Sequence, residues 1–130
     1  MPSQFRASLA DKDSASVVVY ESFTSPCIEG CNLERIKKLS ESIDDLDPFS
    51  DERHSLATAL LGASFQLMMD VDGRVILPET LLKKAKIKDS AVFVGKGSTF
   101  EIWRPEALEE YMTKAREAAK GKLNLLRISK

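Results

Sequence analysis

The chain has 130 residues, enough for one ordinary domain or two small units sharing a core. With 43% hydrophobic and 30% charged residues it can bury a core, while two Cys and one His exclude a four-ligand Cys/His zinc site and a disulfide-dense scaffold. The net charge of -1 is not the basic balance usual in nucleic-acid binders, and no apolar run approaches the ~20 residues of a membrane helix.

Ser3 to Ala10 reads as a short helix or turn, without the apolar block of a secretory signal, so a reducing cytosol is the expected setting. Ser16-Val17-Val18-Val19-Tyr20 is β-branched and aromatic, hence a strand. Phe23 to Gly30 holds Pro26 and reads as irregular, with room for a short strand. Asn32 can cap a helix whose apolar face is Leu33, Ile36, Leu39, Ile43 and Leu46, with Pro48 ending it. Ser50 can cap a second helix burying Leu56, Ala57, Leu60 and Leu61. Phe65, Leu67 and Met69 alternate as a strand, Asp70-Val71-Asp72-Gly73 is turn chemistry, and Arg74-Val75-Ile76-Leu77 is the returning strand. Pro78 fits the start of a short helix to Ala85. Ala91 to Val94 is a strand, Gly95-Lys96-Gly97-Ser98 a hairpin turn and Thr99 to Trp103 its partner. Pro105 opens the last helix, lined on one side by Leu108, Tyr111, Met112, Ala115, Ala118 and Ala119.

The overall charge conceals an asymmetry. Residues 1–70 carry 6 Lys/Arg and 12 Asp/Glu, a net of -6, whereas residues 71–130 carry 13 and 8, a net of +5. Such a chain presents a directional field rather than a neutral surface.

The chain also repeats itself. At an offset of 76, Pro2 matches Pro78, and Lys12-Asp13-Ser14-Ala15 matches Lys88-Asp89-Ser90-Ala91. Phe5 then faces Leu81, and Val17-Val18 faces Phe93-Val94, with a helix following each strand region. The reading is two copies of one unit. The partner of Asp70 to Arg74 would fall before residue 1, so the first copy is expected to lack its opening hairpin, either lost or left out by a start assigned too far downstream.

Asp70-x-x-Gly73-Arg74 followed by Pro78 is the strongest local motif. It can close a salt bridge across a hairpin, or aim a guanidinium at a phosphate or a guanine edge. The same stretch partly fits a calcium loop, but Met68 stands at the first ligand position and calcium is not expected. Gly95 to Ser98 lacks phosphate-loop spacing, and Cys27 and Cys31 lack C-x-x-C spacing and read as reduced thiols. His54 reads as a surface residue and Trp103 as core; no nucleophile and base can be paired, so no catalytic residues, metal or cofactors are expected.

Asp70-Val71-Asp72-Gly73-Arg74-Val75-Ile76-Leu77-Pro78 resembles the second repeat signature of the MraZ family of bacterial transcriptional regulators. Phe93-Val94-Gly95 with Phe100-Glu101-Ile102-Trp103 resembles the hairpin that follows it there, and Pro2-Ser3-Gln4-Phe5-Arg6 the tail of the first signature. Asp47-Pro48-Phe49-Ser50, Glu52-Arg53 and Leu56-Ala57-Thr58-Ala59-Leu60 resemble the helices between the repeats.

The resemblance implies an α+β fold, mainly β-barrel units with helices, in which two tandem AbrB-like swapped-hairpin repeats share one chain. Residues 1–33 would form the incomplete first repeat, 34–63 a helical linker, 64–107 the second repeat and 108–130 a C-terminal helix and tail. It implies a homo-oligomeric ring that binds double-stranded DNA at short direct repeats and represses the division and cell-wall gene cluster. Such a protein sits in the cytoplasm on the nucleoid, with no membrane partner and no small-molecule substrate. The Asp-x-x-x-Arg hallmark makes Arg74 the principal DNA contact, with Asp70 fixing its direction. Arg6 fits the first repeat's pattern; Leu82 stands where the family usually places Arg, leaving Lys83 and Lys84 as substitute point charges. The acidic linker would have to face away from DNA. The alternative reading is an oligomeric scaffold or protein-interaction module without DNA binding.

Overall fold

The computed structural model describes residues 16–70 and 75–126. Two short loops and two long, helix-containing crossings give five strands: β1 (Ser16–Glu21), β2 (Ile28–Asn32), β3 (Phe65–Met68), β4 (Val92–Lys96) and β5 (Thr99–Trp103). They form one antiparallel sheet in the order β3-β1-β2-β5-β4. Strands from both halves of the chain are therefore joined at β2 and β5, with Ile28 opposite Ile102 and Gly30 opposite Phe100. Arginine- and lysine-poor β1 is buried on both faces, which explains why it reads as a continuous apolar run rather than an alternating one.

Helix α1 (Leu33–Asp44) follows β2 directly, because Asn32 stays extended and its Oδ1 accepts the Arg35 amide at 2.8 Å. Ser50 caps α2 (Asp51–Leu56) in the same way, accepting the Arg53 amide at 3.2 Å. The helix then widens into a π-helical turn over Ala57–Gly62. That widening breaks the expected apolar stripe: Leu60 is buried, but Leu56, one α-turn earlier, is left exposed.

One face of the sheet packs Val17, Val19, Ile28, Phe100 and Ile102 against Met69 and helix α3 (Glu79–Lys84), through Leu81 and Ala85. The neighbouring residues of β1 point the other way, and there Val18, Tyr20 and Cys31 meet Ile43 of α1 and Leu60. Helix α4 (Pro105–Lys120) closes the far end of that second face, setting Ala107, Leu108 and Tyr111 against Cys27 and Trp103. A 3₁₀ turn, Leu123–Leu125, follows.

Three further expectations change. Val75 to Leu77 form no strand among the described residues, although Val75 and Leu77 pack on the core and Ile76 is 90% exposed. The in–out alternation is that of a strand, but alternation fixes only which side faces the core; a ladder also needs a partner. The last hairpin turn is tighter than the four residues expected: Lys96 pairs with Thr99, leaving Gly97 and Ser98, with Gly97 at φ +78°. On α4 the apolar line fades beyond Tyr111: Ala115 is still half-buried, but Met112, Ala118 and Ala119 are exposed. The short N-terminal helix, the first-copy matches Pro2, Phe5 and Lys12 to Ala15, and the turn from Val71 to Arg74 lie outside the described residues.

Candidate nucleic-acid interface

The alternation of β1 separates the charges in space. The segment 33–62, with seven acidic and four basic residues, covers the Val18 face. Helix α3 and its exit, residues 79–90, carry Lys83, Lys84, Lys86 and Lys88 against Glu79 and Asp89, and sit on the Val17 face. The acidic helices and the lysine-rich helix thus lie on opposite sides of one sheet.

Among the expected contact residues, Asp70 is exposed just past β3, where the apolar alternation ends at buried Met69. Arg74 and Arg6 lie outside the described residues. Lys83 and Lys84 occupy the last turn of α3, where cations complement the negative end of the helix. Lys83 Nζ lies 3.6 Å from Glu79, with both side chains strongly exposed, and Lys84 Nζ lies 4.0 Å from Glu21 of β1. Water and salt screen both pairs, so neither prevents these ammonium groups from meeting a phosphate.

The chain fold adds three cations that the sequence reading did not single out. Lys86, Lys88 and Arg104 line one cleft with Lys83, and its volume is about 560 Å³. Arg104 is 16 residues beyond Lys88 in sequence and arrives through the β4–β5 hairpin. The alternating lysines at 84, 86 and 88 were the signal available.

The sheet's other polar centre is structural. Glu101 is buried; its Oε2 accepts Lys96 Nζ and its Oε1 accepts Trp103 Nε1, both at 2.9 Å. That hydrogen bond to Glu101 raises the Lys96 pKa, against the lowering effect of burial. Glu29 accepts from Ser22 Oγ at 2.5 Å and from Tyr20 Oη at 3.4 Å. Burial pushes the Cys27 thiol up to about 12 and Cys31 up to about 11, with Glu101 adding to the first. Both are free thiols held in the inert, protonated form, as expected for structural cysteines. Among the described residues no group of three or more His, Cys, Asp or Glu could hold a metal ion. No helix among them is long and apolar enough to cross a membrane.

Residues 60–126 match the sequence model of a family described as "MraZ protein, putative antitoxin-like". The chain is 42% identical to a protein named "Transcriptional regulator MraZ" from Rickettsia felis over 127 residues, covering 98% of this chain and 85% of the relative. A protein of the same name from Pelagibacter ubique is 45% identical over 119 residues, covering 92% of this chain and 77% of the relative. A third, from Rickettsia canadensis, is 41% identical over 127 residues.

Proposed function

The chain belongs to the MraZ family, and we propose that it is a sequence-specific DNA-binding transcriptional regulator. The observation that carries this reading is the near-full-length similarity to proteins named as transcriptional regulators. The separation of charge supports it. A chain of net charge -1 can approach a polyanion only by turning its acidic part away, and residues 33–62 lie across the sheet from the lysines of α3.

In this reading the two halves are tandem swapped-hairpin repeats whose strands merge into one sheet, each half ending in a strand followed at once by a helix. Arg74 reads the DNA, Asp70 orients it, and Arg6, Lys83 and Lys84 neutralise phosphates. Copies of the chain assemble into a ring, so that weak contacts to successive short direct repeats add through effective concentration. The regulated genes are the division and cell-wall cluster, the action is repression, and the protein resides on the nucleoid.

Titration of the chain against a fluorescent direct-repeat fragment and a scrambled fragment of the same length tests this. The reading expects at least tenfold tighter binding to the repeats; equal binding would reduce the chain to a non-specific or scaffolding role.

A further inference from the structure

Helix α3 ends in a Schellman turn. The Ile87 amide donates to the Leu82 carbonyl at 2.9 Å and the Lys86 amide to the Lys83 carbonyl at 3.1 Å. Ile87 and Leu82 both pack on the core, which holds the turn in place. Lys86 therefore occupies the left-handed position that glycine normally fills, at φ +56°, and is the one non-glycine residue with positive φ among those described. A side chain retained where glycine would be more comfortable calls for a use of that side chain.

Lys86 lines the cleft of about 560 Å³ with Lys83, Lys88 and Arg104, and Asp89 and Glu106 line it too. Neither Lys86 nor Lys88 has an ion-pair partner among the described residues. Arg104 Nη1 stands 3.7 Å from Glu106, but its Nε is buried without a hydrogen-bond partner. Arg104 also precedes the first turn of α4, which no side chain caps, so the positive end of that helix abuts the cleft. A tetrahedral oxyanion suits this lining: it accepts from the exposed end of the Arg104 guanidinium, from ammonium groups and from uncapped amides.

We propose that this cleft binds a phosphoryl group and, resting on the DNA-binding reading above, that the group is a backbone phosphate of bound DNA. Contacts of this kind position the duplex and carry no sequence information. They would add the exit of α3 and the start of α4 to the DNA-contacting surface.

The full chain, with Lys86→Gly and Lys88→Gln variants, tests this in DNA titrations at several salt concentrations and in melting curves with inorganic pyrophosphate. Lys86→Gly should melt about 3 °C higher, because glycine relieves the left-handed strain. It should nevertheless lose several-fold in DNA affinity and about 0.9 from the slope of log K against log salt. A variant that is more stable and binds more weakly cannot owe its loss to misfolding. Lys88→Gln should lose a similar slope. If the slopes hold but pyrophosphate stabilises the wild type and not the variants, the phosphoryl site stands with free phosphate as its source. If neither slope nor pyrophosphate response changes, the proposal is overturned. A wild type without preference for direct repeats would instead defeat the regulator reading, and the pyrophosphate arm would still decide the cleft.

Discussion

Gly30 of β2 lies directly opposite Phe100 of β5, and the Phe100 ring occupies the space where a Cβ on Gly30 would stand, within 2.3–2.8 Å of three ring carbons. Phe100 is 1% exposed and stacks on Phe93 with ring centroids 6.0 Å apart, so the ring has little room to retreat. The glycine and the ring together close the seam between strands from the two halves of the chain.

Gly30→Ala is therefore expected to destabilise the fold by about 2–3 kcal/mol through overpacking. Urea denaturation measures it. A loss below about 0.5 kcal/mol would mean that the seam tolerates a methyl group and that Phe100 does not depend on the glycine.

Glu101, opposite Glu29 across the same seam, supplies acceptors to both Trp103 and Lys96. Two carboxylates facing one another repel, and each is held by its own donors. Glu101→Ala leaves the buried Trp103 indole N–H without an acceptor and should cost about 2–3 kcal/mol. Glu101→Gln keeps an oxygen for the indole and removes the repulsion, so it should cost about 1 kcal/mol or less. Equal losses in denaturant titrations would show that the charge, rather than the indole bond, governs this position.

Alkaline pH should weaken the fold in a definite window. The folded-state pKa values of Cys27 and Cys31 are raised to about 12 and about 11 from 9.0, and that of Lys96 is raised above 10.5. Groups raised on folding contribute fully below their unfolded pKa, and the contribution is lost as pH rises through the folded value. Stability should thus be flat up to about pH 9 and fall from there towards pH 12, more shallowly in a Cys27→Ala, Cys31→Ala double variant. Native thiols should also resist an aromatic disulfide reagent at pH 8 and react at once in urea. Rapid native labelling would contradict their burial.

The local elements were largely legible in the sequence, because their signals are local. Asn32 and Ser50 cap the helices they were expected to cap, Pro105 stands at the start of α4, and the Ser16–Tyr20 run is a strand. What could not be read depends on distant partners or on backbone geometry. The insertion of β1 and β2 between β3 and β5 is decided by which apolar faces can be buried together, and the π turn over Ala57–Gly62 is a backbone geometry that no residue type in it announces. For the candidate interface, the motif around Asp70 and the lysines of α3 were visible as residue types. The cleft was not, because Arg104 reaches it only through the β4–β5 hairpin and Lys86 only through a left-handed φ.

Lys83 and Lys84 are exposed and only weakly paired, so they act as point charges in this account. Lys83→Ala or Lys84→Ala should each weaken DNA binding about two- to fivefold at moderate salt, alike for specific and scrambled fragments. A loss confined to the direct-repeat fragment would assign them to base reading instead.

The most direct measurement of the central claim is a fluorescence-anisotropy titration of Arg74→Ala against direct-repeat DNA at moderate salt. A guanidinium that reads a guanine edge is worth about 1–3 kcal/mol of discrimination. The account predicts a drop of roughly tenfold or more on the direct repeats, with little change on scrambled DNA and an unchanged melting temperature. Wild-type affinity and wild-type preference in the variant would contradict it.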